Sequence, residues 1–266
     1  MDTVIWIVIW CLGLGALVGF LAGLLGIGGG LIIVPALLYL LPSVGIDGVL
    51  LPYVAIATSL GAIILTSASS ARSHWSRGNI EFAVLRPLLP GIVLGASVSG
   101  LLAEAIFGAY LQQAFAIFVM LMAINMLFPF KPKASAGLPA NSMIFIFGFF
   151  IALLAGLMGI GGGVLLVPLL VWCGLAMPKA VGTSSVMGFV IASFGSLAYI
   201  TSGWNETSLP SGTLGYLYLP ALVAIVTTSI LTAPLGASAA SSWPTPVLKR
   251  IFAVLLLVIG CQLMFK

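Results

Sequence analysis

The sequence predicts an all-α integral membrane protein made of two inverted four-segment repeats, each opening with a glycine-interrupted, re-entrant-type helical hairpin. Three observations predict it: an apolar composition, a glycine string that occurs twice, and a one-sided distribution of basic residues. Of the 266 residues, 62% are hydrophobic and only 5% are charged. A soluble domain carries roughly 25% charged residues to solvate its surface, so lipid is the solvent that fits this composition. Mean hydropathy is +1.30, and no stretch is left for a soluble catalytic domain.

Eight apolar blocks follow one another, at 4–41, 49–71, 82–103, 110–128, 142–172, 180–201, 214–240 and 247–265. Each is long enough to cross or deeply enter a bilayer core about 30 Å thick. Polar punctuation at 72–79, 129–141 and 202–212 separates them. Trp75, Tyr110, Trp204 and Trp243 fall near block ends, where amphipathic rings favour the membrane interface. The start, Met1-Asp2-Thr3, lacks a basic leader region, so the first block is expected to be a retained membrane segment.

Two of the blocks contain nearly the same string. Gly26-Ile27-Gly28-Gly29-Gly30 runs on to Pro35, and Gly159-Ile160-Gly161-Gly162-Gly163 runs on to Pro168. The likeness continues beyond the glycines. Thr58-Ser59 answers to Thr183-Ser184, Leu94-Gly95-Ala96-Ser97 to Leu235-Gly236-Ala237-Ser238, and the segment 111–118 to 248–255. The chain therefore divides into a first repeat at 1–128, a cytoplasmic linker at 129–141 carrying Lys131 and Lys133, and a second repeat at 142–266. A membrane helix broken at the same place in both halves points to a transport site between repeats.

Length decides the shape of the broken blocks. As one straight helix at 1.5 Å per residue the first would measure about 57 Å, almost twice the bilayer core. A turn at the glycines lets the chain enter and leave on one side. Backbone exposed by such a turn is tolerated at depth only where protein or water covers it.

Charge counting separates the topologies. With both broken blocks as hairpins, each repeat makes three net crossings and the repeats are inverted. One face then collects Arg72, Arg77, Arg86, Lys131, Lys133, Lys179, Lys249 and Arg250, while the other holds Lys266 and the acids Asp2, Asp47, Glu104 and Glu206. Single crossings would give a weaker split, six against three among the nine basic residues. The positive-inside rule favours the inverted arrangement, with both termini outside. The net charge of +4 is thus loop bias and not a nucleic-acid footprint.

The doubled glycine string, the Thr-Ser pair after each copy and the Gly-Ala-Ser blocks resemble the TauE/SafE family of sulfite exporters, also called TSUP permeases. The resemblance spans nearly the whole chain. It implies a multi-pass carrier of a bacterial-type inner membrane that moves sulfite, thiosulfate, sulfoacetate or another small organosulfur anion. Family members differ in substrate and direction, so the resemblance implies the class alone. The expected function is a secondary transporter working by alternating access, with a passive anion channel of the same fold as the alternative.

A small oxyanion in apolar surroundings needs hydrogen-bond donors and positive potential. Helix starts following the glycine turns supply both through free amides and the dipole. The expected binding residues are Gly28, Gly29 and Gly30 with Gly161, Gly162 and Gly163, acting through backbone. Thr58, Ser59, Thr183, Ser184 and Ser185, read as starting the second core helix of each repeat, add hydroxyl donors. Helix packing through small residues and back-bonding of hydroxyls to helix carbonyls compete with these readings. Arg72, His74 and Arg77 form a basic vestibule or, more simply, headgroup anchors. Ser67, Ser69, Ser70 and Asn125 are expected in interhelical hydrogen bonds.

Enzyme chemistry is disfavoured: one histidine and five acids assemble no catalytic constellation, and Glu81 and Glu104 sit at block ends. No metal site or cofactor is expected, and Cys11, Cys173 and Cys261 read as small buried hydrophobes. The partners expected are a small sulfur anion and membrane lipid, with no nucleic acid; a homodimer is compatible with the sequence. Asn205-Glu206-Thr207 matches a glycosylation sequon, a pattern short enough to arise by chance.

Overall fold

The structure, a computed structural model, describes residues 2–25, 29–107, 110–128, 139–239 and 245–265. The first half supplies α1 (Asp2–Leu25), α2 (Gly30–Leu40), α3 (Leu50–Ser76), α4 (Phe82–Leu102) and α5 (Leu111–Leu127). The second supplies α6 (Asn141–Leu157), α7 (Gly163–Trp172), α8 (Met177–Ser202), α9 (Leu219–Ala239) and α10 (Thr245–Met264). Segments Leu50–Ser76, Phe82–Ala105 and Met177–Ser202 are each long and apolar enough to cross a membrane. The chain is mostly helical, as the apolar blocks require.

Both long blocks break at their glycines. α1 ends at Leu25 and α2 starts at Gly30, while α6 ends at Leu157 and α7 starts at Gly163. Gly159 and Gly162 have φ of 66° and 70°, a left-handed conformation that ends one helix and turns into the next. Two boundaries differ from the sequence reading. Helix α3 runs five residues past Ala71 and carries Arg72 and His74 on its last turns. The block at 214–240 opens not as helix but as an antiparallel hairpin of β1 (Thr213–Leu214) and β2 (Leu217–Tyr218). Gly212 and Gly215, with φ of 95° and 53°, fold that segment back before α9 can begin.

Packing runs mainly between the halves. α1 lies on α9, α4 on α6, α3 on α8 and α5 on α10. On α3 and α8, Leu60 meets Gly195, Ser67 meets Gly188 and Ser70 meets Ser185, so these two helices are antiparallel. α5 and α10 are antiparallel as well, since Gln112 Nε2 donates to the Leu263 carbonyl at 3.3 Å and Gly260 lies against Ala116 and Met120. α1 and α9 are parallel: Thr228 Oγ1 donates to the Leu12 carbonyl at 2.8 Å, and Gly15 and Gly19 meet 225–228 and 229–232 in turn. α4 and α6 repeat that parallel contact, with Gly91 against Phe145 and Phe149, and Gly95 against Phe149 and Leu153.

These glycines sit where two backbones touch. Without a hydrophobic drive between helices in lipid, close approach through small residues is what holds such pairs. α3 lies at the centre, buried continuously from Leu51 to Ile63, while Trp6, Trp10, Phe150 and Leu231 are exposed on the rim where lipid would contact them.

Replacing Gly91 with Leu is expected to lower the thermal midpoint in detergent sharply, because a Cβ there overlaps the Phe145 carbonyl. Gly13→Ala is the matched control. Nothing lies within 4 Å of its Cβ position, so the change should be neutral or stabilise by up to about 1 kcal/mol.

Candidate functional site

The two glycine turns come together beside α3. A Cβ on Gly30 would lie 2.5 Å from the Gly159 carbonyl oxygen and 2.9 Å from the Ile160 Cα, so the start of α2 rests directly on the second turn. Ser59 Oγ donates to that Gly159 carbonyl at 2.8 Å, tying α3 to the turn that separates α6 and α7. Ile63, one turn further along α3, touches both Gly30 and Gly161. Gly188 on α8 packs on the Gly161 carbonyl, and Ser67 of α3 lies close to both Gly161 and Gly188.

The second turn offers donors. Ile160 N–H bonds back to Ala155 at 2.9 Å, and the amides of Leu165 and Leu166 bond to Gly162 at 3.0 and 2.7 Å. Among the described residues the amides of Gly161, Gly162, Gly163 and Val164 make no hydrogen bond. A left-handed Gly162 followed by the helical Gly163 turns successive amides inward, the backbone concavity that holds anions. At the first turn, Ile32 and Ile33 bond to the Gly29 carbonyl, and the amides of Gly30 and Leu31 lack partners among the described residues. Ser184 is buried, and its Oγ has no partner there either.

The predicted hydroxyls thus divide. Ser59 and Ser184 occupy matching positions in α3 and α8, inside those helices rather than at their starts. Thr58 Oγ1 accepts from the Tyr218 amide at 3.0 Å, and Thr183 Oγ1 accepts from the Glu81 amide at 2.9 Å. Each threonine holds the residue just before a helix of the other half, α9 and α4 respectively. Ser185 Oγ lies 3.0 Å from Ser70 Oγ and donates to the Val181 carbonyl at 2.8 Å. Gly29 is buried against Val18 and Ile33, while Gly28, Lys131 and Lys133 lie outside the described residues.

Beside the Ser70–Ser185 contact opens a cavity of about 570 Å³ lined by Ala68, Ala71, Arg72, Trp75, Val186 and Phe189. Arg77 is exposed at the end of α3, and His74 Nδ1 sits 3.5 Å from Asn79 Nδ2. Lys179 pairs with Glu81 at 2.7 Å on the same end of the molecule. Ser70 is therefore an interhelical bridge as expected, whereas Ser69 and Asn125 are exposed. At the other end the Tyr53 and Tyr216 rings stack with centroids 5.2 Å apart. Burial, then Glu104 and Glu206, push the Tyr216 phenol up to about 12, which brings both acids to that end.

The sequence reading missed Gly188, Ile63 and the Gly159 carbonyl as parts of this junction. Glycine at 188 gave no local signal, because its need arises only from a contact with a turn far away in sequence.

The profile of the sulfite exporter TauE/SafE family matches residues 11–263. The chain belongs to the TauE/SafE family. A "Probable membrane transporter protein" of Haemophilus influenzae is 38% identical over 262 residues, covering 97% of this chain and 98% of the relative. The "Probable membrane transporter protein YunE" of Bacillus subtilis is 29% identical over 277 residues, with 95% and 96% coverage. A relative of the same description from Methanocaldococcus jannaschii is 29% identical over 224 residues, with 83% and 79% coverage. No solved structure matches. As a TauE/SafE protein the chain is a multi-pass membrane transporter and not an enzyme.

Thr58→Val and Thr183→Val should each leave a backbone amide without its acceptor and cost about 1–3 kcal/mol. Thr→Ser at either position should restore most of that loss. Thermal midpoints of the four purified variants check both statements.

Proposed function

We propose that the chain is a secondary transporter that exports a small sulfur-containing anion, such as sulfite, thiosulfate or an organosulfonate, across a bacterial-type inner membrane by alternating access. The observation that carries the reading is the group of amides at Gly161–Val164 left unbonded among the described residues. The buried Ser184, whose hydroxyl has no partner there, lies one turn before the Gly188 that packs on Gly161. Buried donors without acceptors are costly, and an oxyanion supplies acceptors in numbers. In TauE/SafE proteins the family name itself points to sulfite as the type of anion.

The repeats are read as inverted, 1–128 against 142–266 about the linker 129–141. Antiparallel pairing of α3 with its counterpart α8, and of α5 with α10, supports this. The contact of α1 with the turn following α2 supports a hairpin in the first broken block. Charge supports the orientation: Arg72, Arg77 and Lys179 gather at one end, and Glu104 and Glu206 at the other. The basic end faces the cytoplasm and both termini face outward. The basic groups at that end attract anions, and the acidic end disfavours their return.

The close contact of Gly30 with Gly159 leaves no room for a solute between the two turns. This conformation is therefore occluded. Solute reaches the amides when α3 and α8 separate, breaking the Ser70–Ser185 and Ser59–Gly159 bonds. Gly30→Ala should force the turns apart, because the nearest atoms its methyl meets are backbone, and so lower both the thermal midpoint in detergent and the flux.

Detergent-purified protein should gain stability with sulfite, thiosulfate or sulfoacetate, by about 2.7 kcal/mol at a hundred times Kd, and not with carboxylate controls. Ser184→Ala should weaken that affinity about tenfold or more, the loss of one charge-assisted bond. A shift with a sugar or a metal and with no sulfur anion refutes the assignment.

A further inference from the structure

Three buried hydroxyls on α8 remain without a role. Ser196, Tyr199 and Ser202 stand three residues apart on one side of the helix, spanning about 9 Å. Ser196 is 3% exposed and Tyr199 is 0% exposed. Their hydroxyls, and that of Ser202, have no hydrogen-bond partner among the described residues. On the same helix Ser193 bonds back to the Phe189 carbonyl and Ser185 to that of Val181. These do not.

An unbonded buried hydroxyl carries its whole desolvation cost, and Ala or Phe would fill the same space without it. One such group is an oddity; three in a row along one helix form a track. The track continues from the site. Gly188, which packs on the Gly161 carbonyl, lies on the same helix about 12 Å before Ser196. Gly195, next to Ser196, lies against Leu60 of α3 and close to Ser99 of α4. Beyond Ser202 the stacked Tyr53 and Tyr216 rings cover the end, with Tyr53 Oη donating to the Ala103 carbonyl at 3.4 Å.

We propose that Ser196, Tyr199 and Ser202 line the outward half of the solute path, which opens along α8 under a Tyr53–Tyr216 cover when Gly100 of α4 lifts from the Ala198–Tyr199 backbone it packs on here. The idea rests on the transport reading above and adds to it a second set of donors, on the side away from Arg72. Hydroxyls suit a passage better than fixed charges. They donate to an oxyanion strongly enough to replace its water, yet release it without an ion pair to break.

The test begins in a background free of Cys11, Cys173 and Cys261, with Ser196→Cys, Ser202→Cys and the lipid-facing Leu197→Cys made one at a time. The probe is 2-sulfonatoethyl methanethiosulfonate, a small anion that reacts with thiols in water. Ser202→Cys and Ser196→Cys should react at least about tenfold faster than Leu197→Cys, which is exposed to lipid and not to water. Rates no greater than that control overturn the proposal.

Tyr199→Phe supplies the second readout. It should keep or raise the thermal midpoint while lowering thiosulfate flux in proteoliposomes about tenfold, as expected for one donor to an anion. A lowered midpoint would reveal a structural bond at that hydroxyl, and an unchanged flux would remove it from the path; either overturns the proposal. Fast labelling in a protein that carries none of the sulfur anions upholds the passage and rejects the substrate assignment instead.

Discussion

Everything in this fold depends on how two broken helices satisfy their backbone in an apolar medium. Where a helix stops within the bilayer, its terminal amides and carbonyls lose their partners, and lipid offers none. Here the second break is covered by the first. Gly30 rests on the Gly159 carbonyl, and Ser59 donates to the same oxygen. The Gly159 carbonyl is thus answered by protein. The amides at Gly161–Val164 make no hydrogen bond among the described residues, and the proposed anion site rests on them.

The covering works because the halves exchange partners. α1 packs on α9 and α4 on α6, so neither half can bury its own fourth helix. Glycines bring those backbones into contact, and Thr58 and Thr183 reach across to hold the residues that precede α9 and α4. Each half therefore positions the other's helices around a central antiparallel pair, α3 and α8. Among the described residues that pair is joined by small residues and by one hydroxyl bridge, Ser70–Ser185.

The polar inventory is sparse and arranged by function. Hydroxyls that brace the fold all have partners, at Thr58, Ser59, Thr183 and Ser185. Among the described residues the buried hydroxyls without partners lie along α8, from Ser184 to Ser196, Tyr199 and Ser202 toward the acidic end. Charge stays at the two ends, basic at one and acidic at the other. On the transport reading proposed above, a solute crossing between them meets donors it can bind and leave.

Much of this was written in the chain itself. Composition fixes lipid as the solvent, block length forces the breaks, and the doubled Gly26–Gly30 and Gly159–Gly163 strings mark where they fall, because glycine is the residue that turns a backbone without a steric cost. The Thr-Ser pairs were legible as important, though not in what each member does: threonine and serine are neighbours on one helix, and only packing determines that Thr58 faces Tyr218 while Ser59 faces Gly159. The short β hairpin before α9, the junction of Gly30 with Gly159 and the need for glycine at 188 were invisible. Periodicity and spacing describe local conformation. Which turn touches which, and which hydroxyl is left without a partner, are set by contacts between residues more than a hundred positions apart, and those exist only once the chain has closed on itself.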